Sequence, residues 1–170
     1  KNAADADNYL NKLERWYSSN ISPSIALAGS DISGDYKYYG ELITNSIAEK
    51  LAGKDITKLY TSAGKFRKSE IKNILESGDY RFLYAVGHGS MSSLNLDDGT
   101  LSSAYILGLQ QSSLQPVIFS SLCSNGAFDT AITAQGQSIG ESMIVSASGS
   151  TAFIGSSRLS YGLPVLSYTD

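Results

Sequence analysis

The feature that most constrains this chain is an alternation. Short apolar runs, each ending at a glycine or a polar turn, are separated by segments with helical apolar spacing. Residues 24–28, 56–60, 81–86, 117–122 and 151–154 read as strands. Between them, 36–52 carries Tyr39, Leu42, Ile43, Ile47 and Leu51 as an apolar stripe with Gly53 as its stop. Residues 69–77 turn Ile71, Ile74 and Leu75 inward and close at Gly78. A short helix over 102–112 carries Tyr105, Ile106 and Leu109, and a helix over 137–148 places Ile139, Met143 and Ile144 on one side. A helix over 3–18, with Leu10, Leu13 and Tyr17 at helical spacing, is a lead-in to the first strand. Strand and helix in alternation imply an α/β fold: a mostly parallel sheet with helices on both faces and right-handed crossovers. The run 81–86 is apolar nearly throughout and belongs near the centre. Residues 90–100 are polar and turn-rich, with Asp97-Asp98-Gly99 as a turn.

A chain of 170 residues is read as one domain over 1–170. Its hydrophobic content of 42% is that of a packed protein rather than a disordered tail. The net charge is −3, and Lys65, Arg67 and Lys68 make only a short basic cluster, so nucleic acid is not an expected partner. No apolar run approaches the roughly 20 residues of a membrane span. The single cysteine excludes an internal disulfide and leaves the redox compartment open. Abundant Ser, Gly and Tyr suit an extracellular protein. The sequon Asn20-Ile21-Ser22 is followed by Pro23, which disfavours glycosylation. The first residue is Lys1 rather than Met, so the chain is read as a processed piece of something longer.

Histidine, cysteine and tryptophan occur once each, and two of these, His88 and Cys123, can do chemistry together. Both fall just past the carboxyl end of a predicted strand, the third and the fourth, where open parallel sheets bind their ligands. A thiol with a pKa near ~8.5 is mostly protonated at neutral pH, and a neighbouring imidazole raises its reactive fraction. Ser121, Ser124 and Gly126 leave room for a substrate carbonyl beside Cys123. Gly87 and Gly89 flank His88, permitting unusual torsions and close backbone approach. Each residue alone has an ordinary explanation, a buried structural cysteine and a turn histidine. Their joint placement is what favours a cysteine–histidine dyad.

The two motifs together resemble those of a known family. Tyr84-Ala85-Val86-Gly87-His88-Gly89-Ser90 is similar to the histidine motif of gingipain-type peptidases, family C25 of the caspase-like cysteine peptidases. Phe119 to Phe128, with Cys123-Ser124-Asn125-Gly126 inside it, is similar to their nucleophile motif, and Ser138 to Ser142 and Ala152 to Arg158 follow in the same order. The resemblance covers most of the chain. It implies a caspase-like three-layer sandwich and a cysteine endopeptidase. Cys123 is then the nucleophile and His88 the general acid and base, with the backbone N–H groups of Gly89 and Cys123 as the oxyanion hole. It also implies an acid that orients the histidine, for which Asp31 is the candidate, with Asp35 and Glu41 behind it. Gingipains select a basic residue before the cleaved bond through an acidic pocket, a charge that Asp35 or Glu41 would supply here. Ser157, Arg158 and Tyr161 would line that pocket. The resemblance further implies a peptide or protein substrate, no organic cofactor, and a secreted or cell-surface location. The one tryptophan, Trp16, lies upstream of the first strand, so a substrate-stacking tryptophan after the nucleophile has no counterpart.

Other readings of the same residues stay open. Asp31 and Asp35 are good loop and cap residues, Glu41 suits a solvated helix face, and Arg158 a surface cation. With one His and one Cys there is no zinc-ligand spacing. Asp31, Asp35, Asp97 and Asp98 make no EF-hand pattern, so no metal is assigned. Phosphate-loop, dinucleotide and Gly-x-Ser-x-Gly signatures are missing. The alternative to a peptidase is a non-catalytic doubly wound module whose loops bind a peptide or surface partner. A weaker third reading is a relative that has lost activity.

Overall fold

Each apolar run pairs with a neighbour in parallel register, and the result is a five-stranded sheet. A computed structural model describes residues 2–20, 24–31, 38–129 and 137–159. The strands of the main sheet are β1 (Ser24–Gly29), β2 (Ile56–Tyr60), β3 (Tyr80–Val86), β7 (Val117–Ser121) and β8 (Ala152–Gly155), in the order β2-β1-β3-β7-β8. All four pairings are parallel, and β3 is the central strand, as its composition predicts. Chain order reverses between β1 and β3, which makes their carboxyl ends a topological switch point.

Helices cover both faces. On one face α3 (Lys68–Ser77), α4 (Ser103–Leu107) and α5 (Ile139–Val145) pack on Ala26, Ala28, Leu83, Ala85 and Ile118. Ile71, Ile74 and Leu75 of α3 are buried as expected, and Gly78 caps that helix in the left-handed region, φ 78°. On the other face α2 (Tyr39–Lys50) lies over β1 and β3, placing Ile47 near Ile25 and Leu27. Of the stripe read on α2, Ile43 is buried, whereas Leu42 is 63% exposed.

Two elements depart from the sequence reading. Residues 90–100 are not simply a loop. β4 (Gly89–Ser90), β5 (Ser93–Leu96) and β6 (Gly99–Ser102) form a small antiparallel sheet that buries Leu94, Leu96 and Leu101. The expected turn at Asp97-Asp98 is there, and it is the turn of this hairpin. Helix α1 (Ala3–Ser18) also differs: Leu10 and Tyr17 are 55% and 81% exposed, and the residue it buries fully is Lys12. The Lys12 ammonium donates to the carbonyls of Met143 (3.1 Å), Ile144 (2.5 Å) and Ser146 (2.8 Å) at the end of α5. The other end of α1 is pinned by Arg81, which stacks on Trp16 at 4.7 Å and donates to the Ser19 carbonyl at 2.6 Å. Among the described residues no helix is long and apolar enough to cross a membrane.

Candidate active site

The sheet places three of the sequence-predicted residues past its carboxyl edge. Gly29, Val86 and Ser121 are the last paired row of β1, β3 and β7. Two residues further along each strand direction stand Asp31, His88 and Cys123. All three therefore lie just past the carboxyl edge of the sheet. His88 and Cys123 follow the adjacent strands β3 and β7, and Asp31 follows β1 on the other side of β3.

His88 is exposed, and its carbonyl accepts from Asn95 N–H at 3.0 Å, which hangs it on the small sheet. Gly89 starts β4 and is not among the glycines with positive φ. Crowding, not torsion, accounts for it: a Cβ there would stand 3.0 Å from Asn125 Nδ2, Leu122 Cβ and the Ser93 carbonyl. Asp31 sits at the end of β1, and its Oδ1 accepts Tyr38 N–H at 3.3 Å, a capping contact at the start of α2. Among the described residues no side-chain hydrogen bond joins it to the imidazole.

Cys123 is partly buried, at the start of a turn held on several sides. Ser124 has φ 56°, a left-handed conformation that costs a non-glycine residue roughly 1–2 kcal/mol and persists only where its surroundings enforce it. Here Ser124 N–H donates to the Arg158 carbonyl at 2.8 Å and Gly126 N–H to the Ser156 carbonyl at 2.9 Å. The turn is thereby stitched to the segment after β8. Gly126 is required by the closeness of this seam, since a Cβ would stand 2.5 Å from the Gly155 carbonyl oxygen.

Two cavities flank the Cys123 turn. One, of about 350 Å³, is lined by Gly126, Phe128, Glu141 and Phe153. The other, of about 920 Å³, runs along the open sheet face beside α2, past Tyr84, Phe119 and Ile154 to Ser156 and Ser157. Burial pushes the Tyr84 phenol up, and its bond to Ser121 at 2.9 Å partly opposes this.

The pocket residues read from the sequence are dispersed. Ser157 lines the larger cavity. Arg158 forms a bidentate pair with Asp129 at 2.8 and 3.0 Å, which holds that carboxyl below and the guanidinium above their ordinary values. Glu41 is 7% exposed, and its oxygens accept from Ser62 N–H at 2.8 Å and Ser62 Oγ at 2.6 Å, beyond the end of β2. It anchors α2 to that turn rather than standing on a solvated face. Asp35 and Tyr161 lie outside the described residues. Among those described, no group of three or more His, Cys, Asp or Glu is placed to hold a metal ion. One residue of the site was not read from the sequence. Asn125 is fully buried, and its amide contacts Ser90, Ser93, Ser120 and Cys123. Asn-Gly reads as a turn in sequence, which hides an amide working across the chain.

A model of peptidase family C25 matches residues 1–170. The chain belongs to that family. Among solved structures it is similar to one described as a protease, with TM-score 0.70 and 18% identity over 97% of this chain. It is also similar to the complex of Porphyromonas gingivalis RgpB pro- and mature domains, with TM-score 0.63 and 17% identity over 94% of this chain. The third is the Arg-specific cysteine proteinase gingipain R, with TM-score 0.66 and 17% identity over the whole chain. At such identities these matches establish the fold, which agrees with the caspase-like sandwich expected from the motifs. The chain spans 36%, 40% and 41% of those three chains. No curated protein matches it.

Proposed function

We propose that this C25 chain is the dyad-bearing region of a cysteine endopeptidase. The observation that carries the reading is that His88 and Cys123 follow the carboxyl ends of adjacent parallel strands, in a chain that matches the family model throughout. The Cys123 thiolate attacks the scissile carbonyl carbon, and the oxyanion that forms is met by the backbone N–H groups of Gly89 and Cys123. His88 then gives its proton to the leaving amine, which departs and leaves a thioester. Water, deprotonated by His88, attacks that thioester and releases the acid and the thiol. Asp31, two residues past the end of β1, is the acid assigned to orienting the imidazole.

A preference for a basic residue before the cleaved bond is part of this proposal. With the Glu41 oxygens engaged by Ser62, the charge for it falls to Asp35. The substrate is a peptide or protein, and the setting secreted or cell-surface. A positional-scanning peptide library, run on this chain and on Cys123→Ala, tests the reading. Cleavage that depends on Cys123 and is richest after Lys or Arg is expected. Cleavage that survives in Cys123→Ala, or none of any library member by the unmutated chain, overturns it.

A further inference from the structure

We infer that Asn125 is a positioning residue for the dyad. Its carboxamide clamps the turn that carries Cys123 to the hairpin that follows His88, and so sets the separation of thiol and imidazole. This rests on the peptidase reading above.

The amide is oriented before it reaches across. Ser120, itself buried on β7, donates its hydroxyl to Asn125 Oδ1 at 2.8 Å, which commits that oxygen and aims the NH₂ group the other way. Nδ2 then donates to the Ser90 carbonyl and lies 3.3 Å from the carbonyls of Ser93 and Cys123. Two N–H bonds thus serve three acceptors, two on the His88 hairpin and one on the nucleophile itself. The Asn125 carbonyl accepts Gly140 N–H at 3.0 Å, tying the same turn to α5. A buried amide with its oxygen and its NH₂ both engaged is rigid, and burying it unsatisfied would be costly.

The side chain is matched to this task. Alanine would take from the Ser90 and Ser93 carbonyls the donor that Nδ2 supplies. Aspartate would set a carboxylate oxygen against them. Gly89 belongs to the same arrangement, because its missing Cβ is what lets Nδ2 approach the hairpin. Asn125 touches no substrate in this account. It acts through the residues it spaces.

The test is iodoacetamide alkylation of Cys123 against pH in the unmutated chain, His88→Ala, Asn125→Ala and the double variant, with thermal melts alongside. His88→Ala is expected to slow alkylation, because no imidazole is left to take the thiol proton. Asn125→Ala is expected to slow it as well, by about three- to tenfold near pH 6.5. The double variant should be no slower than His88→Ala alone, because a device that acts through the imidazole has nothing left to act on. A folded Asn125→Ala on the unmutated curve, or additive losses in the double variant, overturns the clamp while leaving the dyad standing. A His88→Ala curve identical to the unmutated one sinks the dyad itself. If Asn125→Ala does not fold, Ser120→Ala decides: it removes only the bond that aims the amide. Slower alkylation supports the clamp, and an unchanged curve overturns it.

Discussion

Glu41 shows how far a single side chain can be read from its neighbours in sequence. On a helix opening it suits solvent, and by family resemblance it suits a substrate pocket. The partner that decides the matter, Ser62, is 21 positions away and is brought close only when β2 ends beside α2. The same limit hid Asn125, whose acceptor Ser90 lies 35 positions back. His88 and Cys123 were readable because their signal is local: each is the sole residue of its type, set directly after an apolar run. Glu41→Ala should therefore behave as the loss of an anchor. Leaving Ser62 N–H without its acceptor is expected to cost roughly 1–3 kcal/mol in urea unfolding. Any peptide cleavage that the chain performs should keep its ranking of residues before the cut, whereas a pocket role predicts a changed ranking.

Strands and amphipathic helices were read well where one face is apolar and the period is clear. α3 and the five long-sheet strands are of this kind. The small sheet was missed although Leu94, Leu96 and Leu101 carry the alternation, because its strands are so short that the polar residues around them dominate. Helix α1 inverted the usual pattern: its leucines suggested an inward stripe, and the lysine went inside. A buried ammonium is tolerable there because three carbonyls at the C-terminal end of α5 receive it. Burial, and then the nearby Arg15 guanidinium, bring Lys12 from its ordinary 10.5 down to about 7. Between these two values the unfolded chain holds more protons than the folded one, so stability rises with pH across that window. Lys12→Met does not titrate there. The stability of the unmutated chain minus that of Lys12→Met should therefore grow from about pH 7 upward, by at most ~1.4 kcal/mol per unit, and be flat below. Chemical unfolding at a series of pH values reads this directly. A difference that shrinks as pH rises would mean that the carbonyls hold the proton more firmly than burial expels it.

The whole molecule is asymmetric about its sheet. One face is sealed by α3, α4 and α5. Among the described residues the other is covered by α2 only over β1 and β3, and Phe119 on β7 is 38% and Ile154 on β8 55% exposed. Alternation of strand and helix predicted two covered faces, and nothing in a binary pattern says how many helices each receives. The open half should bind the dye ANS. Ile154→Ser is expected to reduce that fluorescence while shifting stability by no more than about 0.5 kcal/mol, as for other exposed positions. A loss of several kcal/mol would mean that Ile154 is packed in solution.

The parallel sheet has one more consequence. No pair of neighbours in it can zip from a tight hairpin, since each contact waits for a full crossover to close. Between β3 and β7 that crossover contains an entire small sheet and α4. In a nascent polypeptide the segments carrying imidazole and sulfur therefore cannot settle side by side until β7 has emerged and that crossover has closed.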